Sequence, residues 1–288
     1  MKKILNEPVA YVDEMLEGLC AAHPEYFRRS GPQGRLISRA TGAVPGKVGI
    51  VSGGGSGHLP VFTGFVGRGL LDACAIGEVF SSPSVDQMAE AIRVANGGAG
   101  VLRLYGHYGG DNMNFDIAGE IVEMEGIETT TVRVADDVAS ASRRALKTAW
   151  CGRFALCIQD GGCQSRVYGR VAGGYSVAQK AADSCRSVGV ALTPCTVPAV
   201  GKPTFELSDE EMEIGMGIHG EPGVRRRPLR AADLVAQEML SLLLSDMPLR
   251  SGERISVLVN SLGATPLDEL CIVYRYVARK LAGLNVKL

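Results

Sequence analysis

The feature that most limits what this chain can become is an alternation. Short apolar or β-branched runs end in glycine clusters and are followed by segments with helical spacing. Residues 44–52 run into Gly53-Gly54-Gly55-Ser56-Gly57-His58, and residues 101–105 run into Gly106-His107-Tyr108-Gly109-Gly110. Residues 129–134 form a β-branched strand. Between them, residues 85–95 carry apolar positions at helical spacing up to Asn96-Gly97-Gly98, and residues 115–125 do so up to Gly126. An N-terminal helix over 11–19 is expected from Val12, Met15, Leu16 and Leu19. Strand and helix in turn argue for an α/β fold with mainly parallel or mixed sheets and flanking helices.

The same reading continues in the second half. A helix is expected over 177–186, a strand over 188–192, a strand over 211–218, a helix over 231–244 and a strand over 255–259. A long helix then opens at Thr265-Pro266-Leu267-Asp268. Thr265 suits its cap, Pro266 its first turn, and Asp268 the positive end of its dipole. The prolines of Thr193-Pro194-Cys195-Thr196-Val197-Pro198 forbid regular pairing, so the boundary falls close by. Two domains are expected, residues 1–188 and 189–288. Across 141–176 neither period holds for long, and this stretch is expected to be the least ordered part of the chain.

Composition narrows the function. Among 288 residues, 30 Lys+Arg balance 31 Asp+Glu, which gives no basic excess for nucleic acid. No apolar run is long enough to span a bilayer. The basic pair at Lys2-Lys3 has no signal core behind it, so a cytoplasmic protein is expected. The eight cysteines form no C-x-x-C pair, and the spacing of Cys151, Cys157 and Cys163 matches no zinc pattern, so free thiols are expected.

Three loops could do chemistry. Residues 53–58 follow a strand, and consecutive glycines there expose backbone N–H groups to a ligand. This makes Gly53, Gly55, Ser56 and Gly57 candidate binding residues, though a tight turn alone explains glycines about as well. The loop lacks the Gly-Lys-Ser/Thr of a P-loop, and His58 stands where a dinucleotide fingerprint needs a third glycine. The second loop offers Gly106 and His107 as binding candidates and Asp111 as either a helix cap or an acid/base partner of His58. The third, Met216-Gly217-Ile218-His219-Gly220-Glu221-Pro222-Gly223, leaves the His219 ring uncrowded. A zinc site from His58, Asp111 and His219 is left open by the spacing, which cannot establish it.

Together these motifs resemble the sugar-binding subunit of the dihydroxyacetone kinases. The matching stretches are Ser52 to His58, Gly77-Glu78-Val79-Phe80-Ser81-Ser82-Pro83, Gly110 to Phe115, Cys195 to Pro198, Gly217 to Gly223 and Asn260 to Thr265. The resemblance implies that the ketone carbon of a short ketose is trapped as a hemiaminal by His219. It implies that His58 and Asp111 hold the sugar hydroxyls and handle the proton of the attacking one, with Gly53 offering backbone N–H. No cofactor is expected on this chain. The phosphoryl donor, ATP or ADP recharged by a relay and carried with magnesium, would sit on a partner nucleotide-binding kinase subunit. A homodimer is also implied. Gly106 stands where dihydroxyacetone-specific members often have a lysine, and the Tyr-Gly-x-Tyr-x-Gly-Asp loop is similar to that of tetrulose (erythrulose) kinases. Members usually continue past the helix that ends near Gly283, so a truncated second domain with an exposed sheet edge is expected. The competing readings are a non-catalytic sugar-sensing regulator using the same histidine, and a defective gene product that keeps the motifs but folds poorly.

Overall fold

The computed structural model of the chain describes residues 3–140 and 171–288. Most of the 141–176 stretch lies outside the described residues. The chain divides into two compact units. Of the described residues, the first unit holds 3–135, 171–185 and 196–203, and the second holds 136–140, 186–195 and 204–288.

The first unit is built on a six-stranded mixed sheet. Its strands are β1 (Phe27–Ser30), β2 (Leu36–Arg39), β3 (Gly49–Gly55), β4 (Ala73–Gly77), β5 (Val101–Gly106) and β6 (Thr129–Val134), in the order β1-β2-β4-β3-β5-β6. β4, β3, β5 and β6 run parallel, while β2 and β1 are added antiparallel at one side. Helix α1 (Tyr11–Ala22) precedes the sheet, and α2 (Val85–Ala95), α3 (Gly109–Met124) and α4 (Val171–Asp183) flank it.

One face of the sheet, including Val51, Ala73, Ala75, Val101 and Tyr105, packs on Met88, Ile92, Phe115, Ala118 and Val122 of α2 and α3. Each large side chain buried there contributes roughly 1.5–3 kcal/mol. Tyr105 and Phe115 stack with ring centroids 4.3 Å apart. At the amino ends of β3 and β4, the buried Asp72 carboxylate accepts from Arg39 Nη1 at 2.9 Å, Lys47 Nζ at 2.6 Å and the Ile50 N–H at 2.9 Å.

The second unit carries a three-stranded antiparallel sheet of β7 (Val190–Ala191), β8 (Glu211–Ile214) and β9 (Arg225–Pro228), in that order. Helices α5 (Ala232–Asp246) and α6 (Leu267–Gly283) pack together, with Arg275 donating to Asp233 at 2.5 Å. Among the described residues, no helix is long and apolar enough to cross a membrane.

Several elements differ from expectation. The strand expected over 44–52 begins only at Gly49, because Val44 to Lys47 closes a turn through a Lys47 N–H to Val44 carbonyl bond. The helix expected from 115 begins at Gly109, and the one expected from 177 is already helical at Val171, the first described residue there. The strand expected over 211–218 stops at Ile214, where Gly215 takes a positive φ of 83°. No strand forms over 255–259. Among the described residues that segment pairs only with Lys287, which bonds the Ile255 N–H and the Glu253 carbonyl, and an apolar run without a ladder stays irregular. Thr265 does not cap α6; Pro266 occupies that position.

Candidate active site

The parallel strands direct the loops after β3, β4 and β5 to the same end of the sheet, where open α/β sheets bind ligands. β3 stays paired with β4 out to Gly55 and Gly77, but with β5 only to Val51 and Arg103. The two strands therefore part along Ser52 to Gly55. Among the described residues, the buried hydroxyls of Ser52 and Ser56, both in this stretch or beside it, have no hydrogen-bond partner.

The glycines of the β3 loop are there because other atoms occupy their side-chain space. A Cβ on Gly53 would lie 2.8 Å from the Ala75 carbonyl oxygen, and one on Gly55 would lie 2.8 Å from the Phe80 backbone. On Gly54 it would strike the Phe62 ring, and on Gly57 it would stand 2.5 Å from the Phe80 ring. Next in the chain, Ser56 to His58 forms one 3-10 turn, and the His58 imidazole lies against Phe80 with centroids 5.0 Å apart.

Asp111 was expected in a loop or at a helix cap. The structure puts it in the first turn of α3, behind an N-cap formed by Tyr108, whose side chain makes no capping bond. The helix dipole favours a carboxylate there. Asp111 is buried and accepts a hydrogen bond from Ser82 Oγ at 2.5 Å. Gly110 next to it admits that contact, since a Cβ would stand 2.6 Å from the same oxygen. The β4 loop thus touches both His58 and Asp111. Ser82 and Phe80 are functional candidates that sequence reasoning left without a role.

Gly106 closes β5 opposite Val134. His107 follows, its N–H bonded to the Val134 carbonyl at 2.9 Å and its Nδ1 3.3 Å from Asn112 Nδ2. Burial, and then the charge of Arg133, push its imidazole below the usual histidine range.

His219 belongs to the second unit, in the turn after β8. Its N–H donates to Glu221 Oε2 at 2.9 Å, and its Nδ1 stands 3.2 Å from Glu221 Oε1. A carboxylate has no proton to give, so Nδ1–H is the donor and Nε2 keeps the basic lone pair. Burial works to raise the Glu221 carboxyl, but bonds from the His219 ring and from the backbone N–H groups of Glu221 and His219, with the His219 charge, outweigh it and hold it low. The carboxylate occupies the space a Cβ on Gly217 would need, and Gly220 turns the chain at a φ of 89°. Glu221 is a third residue missed from sequence, although its place two residues beyond His219 was a usable signal. Among the described residues, no three His, Cys, Asp or Glu side chains gather as a metal site.

Fold and loops define an α/β protein that presents paired histidine and carboxylate groups on glycine-framed strand ends, a class suited to holding and activating a small polar ligand. A model of the Dak1 domain matches residues 17–288, and the chain belongs to the Dak1 family. It is 38% identical to the dihydroxyacetone-binding subunit of the PEP-dependent dihydroxyacetone kinase of Escherichia coli, covering 100% of this chain and 88% of that protein. It is 39% identical to the L-erythrulose kinase of Pectobacterium atrosepticum over 99% of its own length, but spans only 49% of that protein. Among solved structures, the dihydroxyacetone kinase of C. freundii superposes with a TM-score of 0.90 at 30% identity, covering 99% of this chain and 52% of that one.

Proposed function

We propose that this chain is the ketose-binding subunit of a dihydroxyacetone-type kinase, which anchors a short ketose on His219 for phosphorylation by a nucleotide-bearing partner. The observation that carries this reading is the His219–Glu221 pair, inside a chain similar to a dihydroxyacetone-binding subunit over its whole length. With Nδ1–H held by the carboxylate, Nε2 adds to the ketone carbon. The carbonyl π pair moves to oxygen, which takes up a proton, and the imidazole loses its Nδ1 proton through Glu221. The product is a neutral hemiaminal. Only a carbonyl compound can be trapped this way, so plain alcohols are rejected.

In the transfer step the sugar hydroxyl would lose its proton to Asp111, assisted by His58, as its oxygen bonds to the donor phosphorus and the bond from that phosphorus to its leaving group on the partner breaks. Gly53, Gly55, Ser56 and Gly57 supply backbone N–H groups and a hydroxyl to the sugar, and Gly106 and His107 border it. The donor, ATP or a relayed phosphate with magnesium, belongs to the partner. A cytoplasmic homodimer completes the reading. A tetrulose substrate is the second possibility, favoured by Gly106 in place of the lysine and by the likeness to an L-erythrulose kinase.

Intact-protein mass spectrometry after incubation with dihydroxyacetone or erythrulose tests the anchor. A gain of one sugar mass is expected and is lost in His219→Ala; an adduct that persists in that variant refutes the assignment. With a nucleotide-binding subunit of the family and ATP added, turnover is expected, and Asp111→Asn should keep the adduct and lose about 10²–10⁴-fold in rate. An adduct without any turnover would favour the sugar-sensing reading.

A further inference from the structure

The segment between β4 and α2, residues 77–83, has no part in the chemistry proposed above, yet it touches both acid/base candidates. Ser82 Oγ donates to Asp111 Oδ1 at 2.5 Å, and the Phe80 ring lies 5.0 Å from the His58 ring at an interplanar angle of 49°. Its own shape is tightly determined. Ser81 N–H bonds the Glu78 carbonyl at 3.0 Å, the same carbonyl receives the Ser56 N–H at 3.2 Å, and Asn114 Nδ2 holds the Pro83 carbonyl at 2.8 Å. Arg35 Nη2 grips the Glu78 carboxylate at 2.7 Å, and Ser84 closes the segment with a capping box to Gln87.

Phe80 adopts a φ of 59°, in the left-handed region, where a bulky aromatic side chain is an outlier. Such conformations persist where the surroundings over-determine them, and they cluster at functional sites. A connection that merely joined a strand to a helix would put glycine or asparagine there. Here the left-handed turn presses the Phe80 ring over Gly57 and its backbone against Gly55, while Ser82 fills the space beside Gly110.

We infer that Phe80 and Ser82 are positioning residues, and that this one segment sets the His58 ring and the Asp111 carboxylate in fixed relation to each other. The inference rests on the acid/base roles given to those two groups. Ser82 donates to Oδ1 of Asp111 and so restrains the orientation of the carboxylate. Phe80 blocks rotation of the imidazole toward the β4 loop. The segment therefore governs the transfer step and not the capture of the sugar.

The test uses the full chain with dihydroxyacetone and erythrulose as probes, a nucleotide-binding subunit of the family and ATP. Ser82→Ala should retain the His219 adduct by intact mass and lose roughly ten- to a hundredfold in kcat. Because a donated hydrogen bond favours the ionised carboxylate, its removal should move the acid limb of the pH–kcat profile to higher pH. Ser82→Thr, which keeps the hydroxyl, should return that limb toward its original place. Phe80→Leu should lower kcat with the adduct intact. Wild-type kcat and pH profile in Ser82→Ala and Phe80→Leu would overturn the inference, as would a kcat loss with an unmoved acid limb in Ser82→Ala, the mark of a structural role. A wild-type protein that forms no adduct and shows no turnover overturns the ketose-kinase reading itself and takes this inference with it.

Discussion

Replacing Asp72 by alanine tests how the sheet is held together away from its ligand-binding end. The Asp72 side chain is 2% exposed and answers two cations, Arg39 and Lys47, whose own side chains are 11% and 9% exposed. It also takes the Ile50 N–H, so its loss leaves two buried cations without their counter-ion and one backbone donor without this acceptor. Breaking a buried pair from one side typically costs about 3–5 kcal/mol. Set against a net stability of about 5–15 kcal/mol, that is about a fifth of the total or more. With an m-value of about 3 kcal/mol/M, the urea midpoint should fall by more than about 1 M at unchanged m. The triple variant Asp72→Leu, Arg39→Met, Lys47→Met removes the whole set and should recover most of the loss. A single-variant effect below about 1 kcal/mol, or a triple variant no more stable than the single, would show that the cluster is not the pin described here.

Two further outcomes follow from the imidazoles. Glu221→Ala removes the acceptor that fixes the His219 tautomer, and the rate of adduct formation should fall about a hundredfold, read by timed intact-mass spectrometry; an unchanged rate would mean that the carboxylate does not orient the ring. His107 is held below the usual histidine value by burial and by Arg133, so the folded chain binds its proton less readily than the unfolded chain. Its contribution to stability is present above about pH 6.5 and is lost as pH falls through the depressed folded value. The drop in urea midpoint on acidification below about pH 6.5 should be smaller in His107→Gln; an identical drop in the two proteins would refute this.

The sequence was most readable where one face of an element is buried. The amphipathic run of α2 and the β-branched run of β6 are found over 85–95 and 129–134, as their spacing predicts. β4 escaped notice because Ala73-Cys74-Ala75-Ile76-Gly77 is buried on both faces and small, so it shows no alternation. The start of α3 was hidden because Gly109 and Gly110 are poor helix formers, yet the second is required by the closeness of Ser82. The Ser82–Asp111 bond joins residues 29 apart and depends on β3, β4 and β5 lying parallel, which no local pattern states. Conversely, the apolar run over 255–259 promised a strand that lacks a neighbour to pair with.

The aromatic backing of the glycine loop also limits how this protein can be diversified. Positions 54, 55 and 57 are closed to any side chain, since the Phe62 ring, the Phe80 backbone and the Phe80 ring already fill those volumes. Randomising them would return mostly chains that fold badly, whatever sugar is used for selection. His107 is different: it is partly exposed, sits just after β5 and, among the described residues, makes a single side-chain hydrogen bond, to Asn112. Mutational tolerance is therefore concentrated on the β5 side of the gap. On the ketose-kinase reading proposed above, a lineage adapting to a longer or shorter sugar would change at residue 107 sooner than in the β3 loop.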